Sequence, residues 1–159
     1  CEKGFKDVMS KGPLAAFPMV GVKVTLNDGK YHDVDSSDLA YQLAARAAMR
    51  DAVKKSSPVL MEPVMKVEVE TPSDFQGSVI GDLSSRRGVV YGTEVNGDDT
   101  VINAGVPLGE MFGYATQLRS LTSGKANYSM EFEKYNRCPA FVQEKVIKER
   151  AEKMREEQG

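Results

Sequence analysis

Hydrophobic positions change spacing several times along this chain, and each change marks an element. Phe5, Val8 and Met9 recur at helical spacing within residues 2–10, and Gly12-Pro13 stops that helix. Over residues 19–26 the chain alternates. Val20, Val22, Val24 and Leu26 share one face, and Gly21, Lys23 and Thr25 the other, which predicts a half-buried strand. Asn27-Asp28-Gly29 then signals a hairpin turn, because Asp-Gly supplies the positive φ values a tight turn needs. Residues 30–34 follow as a returning strand or loop. Asp35-Ser36-Ser37 offers N-cap oxygens, and Asp38 suits the positive end of a helix dipole. The helix they open, residues 39–55, carries Leu39, Leu43 and Ala47 down one face, with small alanines suited to close packing on a sheet. Ser56-Ser57-Pro58 closes this first unit.

A second unit begins near Glu62. Met65, Val67 and Val69 point inward and Lys66, Glu68 and Glu70 outward over residues 63–71. Ser73 and Gln76 form a capping box for a helix carrying Phe75, Val79, Ile80 and Leu83, with Gly88 as its left-handed cap. Strands at 89–95 and 100–106 flank the turn Asn96-Gly97-Asp98-Asp99. A helix over 108–122 places Leu108, Met111, Phe112, Ala115 and Leu118 on one face, and Gly124 stops it. Tyr128, Met130 and Phe132 alternate in a last strand. The order β-α-β-β-α-β is the ferredoxin-like unit. Its two helices bury their faces on one side of a four-stranded antiparallel sheet, so the fold class is α+β. Pro139 suits the first position of a final helix. There Phe141, Val142, Lys145 and Val146 can pack back, and beyond Ile147 nearly every residue is charged.

Composition narrows the function classes. An apolar fraction of 41% is that of a globular protein. No run approaches the ~18 apolar residues that span a bilayer, and the leading CEKGFKDVMSKG has no signal-peptide core. The chain starts at Cys1 rather than Met, as an internal piece of a longer protein would. Cys1 and Cys138 make no CxxC and have no histidine at ligand spacing, so zinc is not expected, and sparse cysteine suits a reducing, cytoplasmic compartment. The net charge is −2, but residues 1–61 hold nine Lys/Arg against seven Asp/Glu, while the remainder holds twelve against sixteen. The first part is therefore the better match for a polyanion.

His32, the single histidine, is the first candidate for chemistry. It has no second imidazole for a metal, and Asp33, Asp35 and Asp38 do not fit the EF-hand pattern. No G-x-S-x-G elbow supplies a nucleophile, and a loop histidine without chemistry is the alternative. Ser84-Ser85-Arg86-Arg87-Gly88 is the second candidate. Its arginines either complement a helix dipole or clamp a phosphate. Gly77 and Gly81 lie four apart in one predicted helix, and Gly109 and Gly113 repeat the spacing in the next. Each costs about 1 kcal/mol relative to Ala, which favours close packing on the sheet over the approach of a partner's backbone. There is no P-loop, no G-x-G-x-x-G and no H-E-x-x-H. The chain reads as a binding module with no catalytic, cofactor or metal residues of its own.

Three stretches resemble one family. They are GPLAAFPMVGVKVTLNDGKYHDVDSSDLAY, EPVMKVEVETPSDFQGSVIGDLSSRRG and VPLGEMFGYATQLRSLTSGKANYSMEF, and they are similar to bacterial translation elongation factor G. The likeness runs from about Cys1 to Ile147. It implies the second half of that factor's fourth domain at 1–61, its ferredoxin-like fifth domain at 62–137 and a C-terminal helix at 138–159. The family's fourth domain has the left-handed βαβ fold seen in ribosomal protein S5, here only in part. The family is a ribosome-dependent GTPase that translocates transfer RNA and messenger RNA. By resemblance, Asn27, Asp28, Gly29, Lys30, Tyr31 and His32 form a tip near the decoding region of the small subunit. Ser84, Ser85, Arg86 and Arg87 become contacts to the large subunit, where the fifth domain lies near the sarcin-ricin loop and stalk base. GTP with Mg belongs to the parent protein. The chain lacks the GTPase domain and is expected to be inactive alone, with a sheet edge at the partial domain that invites dimerisation. A free-standing ferredoxin-like RNA- or protein-binding module, a recycling-specialised paralogue and a ribosomal protection protein remain open, and an acylphosphatase-like enzyme rests on fold analogy only.

Overall fold

The computed structural model describes residues 1–158. They form two compact units, one of residues 1–60 with 138–158, the other Met61–Arg137.

In the first unit, α1 (Glu2–Met9) packs on α2 (Asp38–Lys55). Gly4 allows the close approach, since a Cβ there would lie 2.5 Å from the carbonyl oxygen of Gln42. Ser37 caps α2 as its sequence predicts, accepting from the Ala40 amide. The buried face of α2 is Ala45, Met49 and Val53, which meets Val8. Leu39, Leu43 and Ala47 instead face outward. The expected strand over 19–26 does not form. That segment has no ladder partner, Gly21 turns it at φ +70°, and Val20, Val22, Val24 and Leu26 are exposed. All four strands of the sheet lie in the other unit, and alternation without a partner strand gains no ladder bonds.

The last helix, α5 (Ala140–Glu156), closes the first unit. Pro139 sits one residue earlier than expected, at its N-cap. Val142, Val146 and Ile147 pack on Leu14, Ala15 and Leu60, while Phe141 and Lys145 remain exposed. The Leu60 amide donates to Gln143 Oε1 at 3.1 Å, and the Cys138 amide donates to the Leu60 carbonyl at 2.9 Å. Arg150 lies over the ring of Phe17, which ties down part of the charged C-terminal half.

The second unit is the expected ferredoxin-like sandwich. Strands β1 (Met61–Pro72), β2 (Val89–Asn96), β3 (Asp99–Pro107) and β4 (Asn127–Arg137) pair antiparallel in the order β2-β3-β1-β4. Helices α3 (Gln76–Ser85) and α4 (Tyr114–Thr122) supply Val79, Leu83, Tyr114 and Leu118 to the core over Val67, Val69, Ile102, Ala104 and Val106. Each fully buried aliphatic side chain there contributes about 1.5–3 kcal/mol. The β2–β3 hairpin turns on Gly97 at φ +68°.

Three local readings differ. The Ser73–Gln76 capping box is absent because the Ser73 hydroxyl bonds to the Asp98 carbonyl and to Thr100 Oγ1 across the β2–β3 turn. The helix expected over 108–122 is broken into a 3-10 turn, Leu108–Glu110, and α4, because Gly113 takes φ +76°. That break throws Phe112 out to 80% exposure. Finally, Gly77, Gly81, Gly109 and Gly113 have nothing within 4 Å of a notional Cβ, so close packing on the sheet does not account for them.

The outer face of the sheet has its own device. Tyr91 on β2 and Glu133 on β4 are both extra, bulged residues. They meet across the sheet, the Tyr91 hydroxyl donating to Glu133 Oε2 at 2.8 Å. The ring lies over Gly105, where a Cβ would fall 2.0 Å from Tyr91 Oη.

Candidate nucleic-acid interface

The loop carrying His32 is built from local hydrogen bonds. The His32 amide donates to Ser36 Oγ at 2.7 Å, and the Ser36 amide returns to the His32 carbonyl at 3.0 Å. Tyr41, from the first turn of α2, donates its hydroxyl to the Lys30 carbonyl at 3.1 Å. The Gly29 amide donates to Asp28 Oδ1. Asn27 to His32 are all exposed, the His32 ring among them. The turn falls at residues 33–35 rather than at Asp28-Gly29, because no returning strand pairs there. The result is a backbone held at both ends of a short turn, with Lys30, Tyr31 and His32 presented to solvent. Among the described residues no cluster of His, Cys, Asp or Glu could hold a metal ion.

The Ser84–Arg87 stretch ends α3 in a Schellman turn. The Gly88 amide donates to the Leu83 carbonyl and the Arg87 amide to the Ser84 carbonyl. The left-handed residue is Arg87, at φ +58°, rather than Gly88. Gly88 serves a different need, since a Cβ there would fall 2.5 Å from the Leu83 carbonyl oxygen. The guanidinium of Arg87 bridges Glu62 by two bonds of 2.8 and 2.9 Å and reaches Glu110 at 3.2 Å. Those bonds, that with Glu62 first, hold it protonated well above its ordinary range. Arg86 pairs with Asp82 at 2.9 Å, donates to the carbonyls of Glu110 and Phe112, and lies 5.1 Å from the Tyr114 ring centroid. Ser84 and Ser85 are exposed, Ser85 donating to the Asp82 carbonyl.

The two arginines therefore act inside the unit as ties between α3, β1 and the Leu108–Glu110 turn. Adjacency in sequence left a dipole role and a phosphate clamp open, and the partners of Arg87, 23 and 25 residues away, could not be read locally. Sequence reasoning passed over Arg119 and Lys125, exposed cations in and just beyond α4. The buried line of α4 is Tyr114, Leu118 and Thr122, which leaves Arg119 outside it, whereas the sequence pattern sets Ala115, four residues before Arg119, on the inner face.

Electrostatics separates the two faces of this unit. The outer sheet face carries Glu68, Glu70, Glu94, Glu131 and Glu133 against Lys66 and Lys134. On the helical side Asp82 and Glu110 face arginines, and Asp74 is the exposed acid of the leading turn.

Comparison with known proteins gives a consistent picture. Residues 1–57 match the family profile "Elongation factor G, domain IV", and residues 59–146 match "Elongation factor G C-terminus". The elongation factor G of Aquifex pyrophilus is 56% identical over 149 residues, covering 94% of this chain and 21% of that protein. Elongation factor G 1 of Syntrophus aciditrophicus (strain SB) is 52% identical over 153 residues, covering 96% and 22%. A crystal structure of a Thermus thermophilus protein superposes with a TM-score of 0.85 at 40% identity, over 95% of this chain and 23% of the other. The chain thus spans about a fifth of the length of the relatives it matches.

Proposed function

Since the chain belongs to the elongation factor G family, we propose that it is the ribosome-binding C-terminal part of a translational GTPase that promotes GTP-dependent translocation of transfer RNA and messenger RNA. The observation that carries this reading is the pair of adjoining family matches, which together account for residues 1–57 and 59–146. In this reading Asn27, Asp28, Gly29, Lys30, Tyr31 and His32 meet RNA near the decoding region of the small subunit. An imidazole can donate to or accept from RNA groups and can stack on a base, so His32 positions without transferring a proton. Met61–Arg137 meets the large subunit near the sarcin-ricin loop and stalk base. Ser84 and Ser85 contact it directly, and Arg86 and Arg87 contribute through the turn they hold together. Arg119 and Lys125 supply phosphate contacts.

GTP and Mg are bound by the parent protein and not by these residues, and the working compartment is the cytoplasm. No helix among the described residues is long and apolar enough to cross a membrane. In isolation, the extended segment over 19–26 offers unpaired backbone groups to a second copy. The reading is tested by His32→Ala in the full-length factor. Translocation slows by an order of magnitude or more while ribosome-stimulated GTP hydrolysis is kept. Equal loss of both activities contradicts it.

A further inference from the structure

We propose that Phe112 is an aromatic anchor that stacks on an exposed base of large-subunit ribosomal RNA. The inference rests on the ribosome-binding reading above and deepens it.

Phe112 is 80% exposed, more than any other large apolar side chain of its unit. Exposed Val89 and Val95 lie on an edge strand, where such residues are ordinary. Phe112 stands differently. Its neighbours Met111 and Tyr114 are buried at 6% and 1%, and Gly113 reverses the chain between them. Arg86 Nη1 holds the Glu110 carbonyl at 2.6 Å and reaches the Phe112 carbonyl at 3.5 Å. The backbone is thus fixed on both sides and the ring points out, with no part in the core. Little rotational freedom of the main chain is left to lose on binding, which favours affinity.

The charge distribution selects the ligand. A polyanion is repelled by the glutamates on the outer sheet face and meets no comparable field on the helical side, where Phe112 lies. Arg119 and Lys125 stand on that side, exposed, ready for phosphates. An exposed aromatic ring on a face that also carries exposed cations is an arrangement by which proteins take up unstacked bases, at about 5- to 150-fold in affinity per base.

The test measures binding of the 159-residue chain to purified large ribosomal subunits. The sequence has no tryptophan, so Phe112→Trp introduces a single reporter at an exposed position. Phe112→Ala is expected to weaken binding about tenfold or more, and Phe112→Leu to do the same, since leucine keeps the apolar surface and loses the ring. Phe112→Trp binds at least as tightly as the parent chain, with its emission quenched on binding. Unchanged affinity of Phe112→Ala overturns the anchor and leaves ribosome binding intact. Full affinity of Phe112→Leu also overturns it, in favour of an apolar protein pocket. If the parent chain itself fails to bind the subunits, the ribosome reading falls and the anchor with it.

Discussion

Replacing Arg87 separates an internal tie from a phosphate clamp, because the two roles predict different behaviour in the absence of RNA. The side chain is 24% exposed and its partner Glu62 14%. Removing one member of a fully buried pair costs about 3–5 kcal/mol. With a quarter of the guanidinium still wet, screening reduces this, and about 2–3 kcal/mol is expected for Arg87→Ala. The backbone adds a second effect. Arg87 sits at φ +58°, a region that costs a non-glycine residue about 1–2 kcal/mol. Arg87→Gly loses the same ion pairs but relieves that strain, so it should be more stable than Arg87→Ala by about 1 kcal/mol. Urea unfolding of the isolated chain, followed by circular dichroism and by hydrogen exchange at the Gly88 amide, measures both. An Arg87→Ala variant within about 0.5 kcal/mol of the parent would refute the tie. Equal stability of the Ala and Gly variants would refute the strain.

Other changes bear on single contacts. The Tyr114 hydroxyl is buried without a partner, so Tyr114→Phe should stabilise the second unit by about 1 kcal/mol in the same urea assay. Burial first, and then Asp82, raises the Tyr114 phenol above its ordinary value, and the bond to Glu133 raises that of Tyr91. A raised folded value means that these contributions are present below the unfolded phenol value, ~10, and are lost as the pH climbs through the folded ones. Stability should therefore fall above that pH, in step with phenolate absorbance, and Tyr114→Phe should flatten the fall. Gly105→Ala would force the Tyr91 ring off the sheet and break its bond to Glu133, costing about 1 kcal/mol. Adding Gly105→Ala to Tyr91→Ala should cost little more, and full additivity would contradict the contact.

The second unit was largely legible because its signals are local and agree with one another. Period-two strands, period-four helices and a Gly-Asp turn all pointed to one βαββαβ unit. Its misreadings came from long-range claims on short-range motifs. Ser73 was drawn to the β2–β3 turn, and Gly113 interrupted a pattern that otherwise ran on to Thr122. In the first unit, alternation over 19–26 was real in the sequence but had no partner strand among the described residues. The face of α2 was misassigned because Leu39, Leu43 and Ala47 and the set Ala45, Met49 and Val53 are both apolar stripes. Only packing against α1 chooses between them. The exposed position of the His32 loop was legible by residue, but its closure by Ser36 and Tyr41 needs coordinates. The Arg87–Glu62 pair is a contact between distant residues, which pattern reading does not reach.

The hydrogen bond from Cys138 to Leu60 marks the two ends of an insertion. Met61 pairs with Arg137 directly beyond it, so the 61–137 segment leaves and re-enters the first unit at neighbouring points. One cluster of the first unit draws on both Ala15 and Val146 and cannot be complete until the last helix has left the tunnel during synthesis. The inserted sandwich has every residue it needs earlier. Once the 61–137 segment is folded, its pairing of Met61 with Arg137 holds Leu60 and Cys138 together, with the loop-closure entropy of that meeting largely removed.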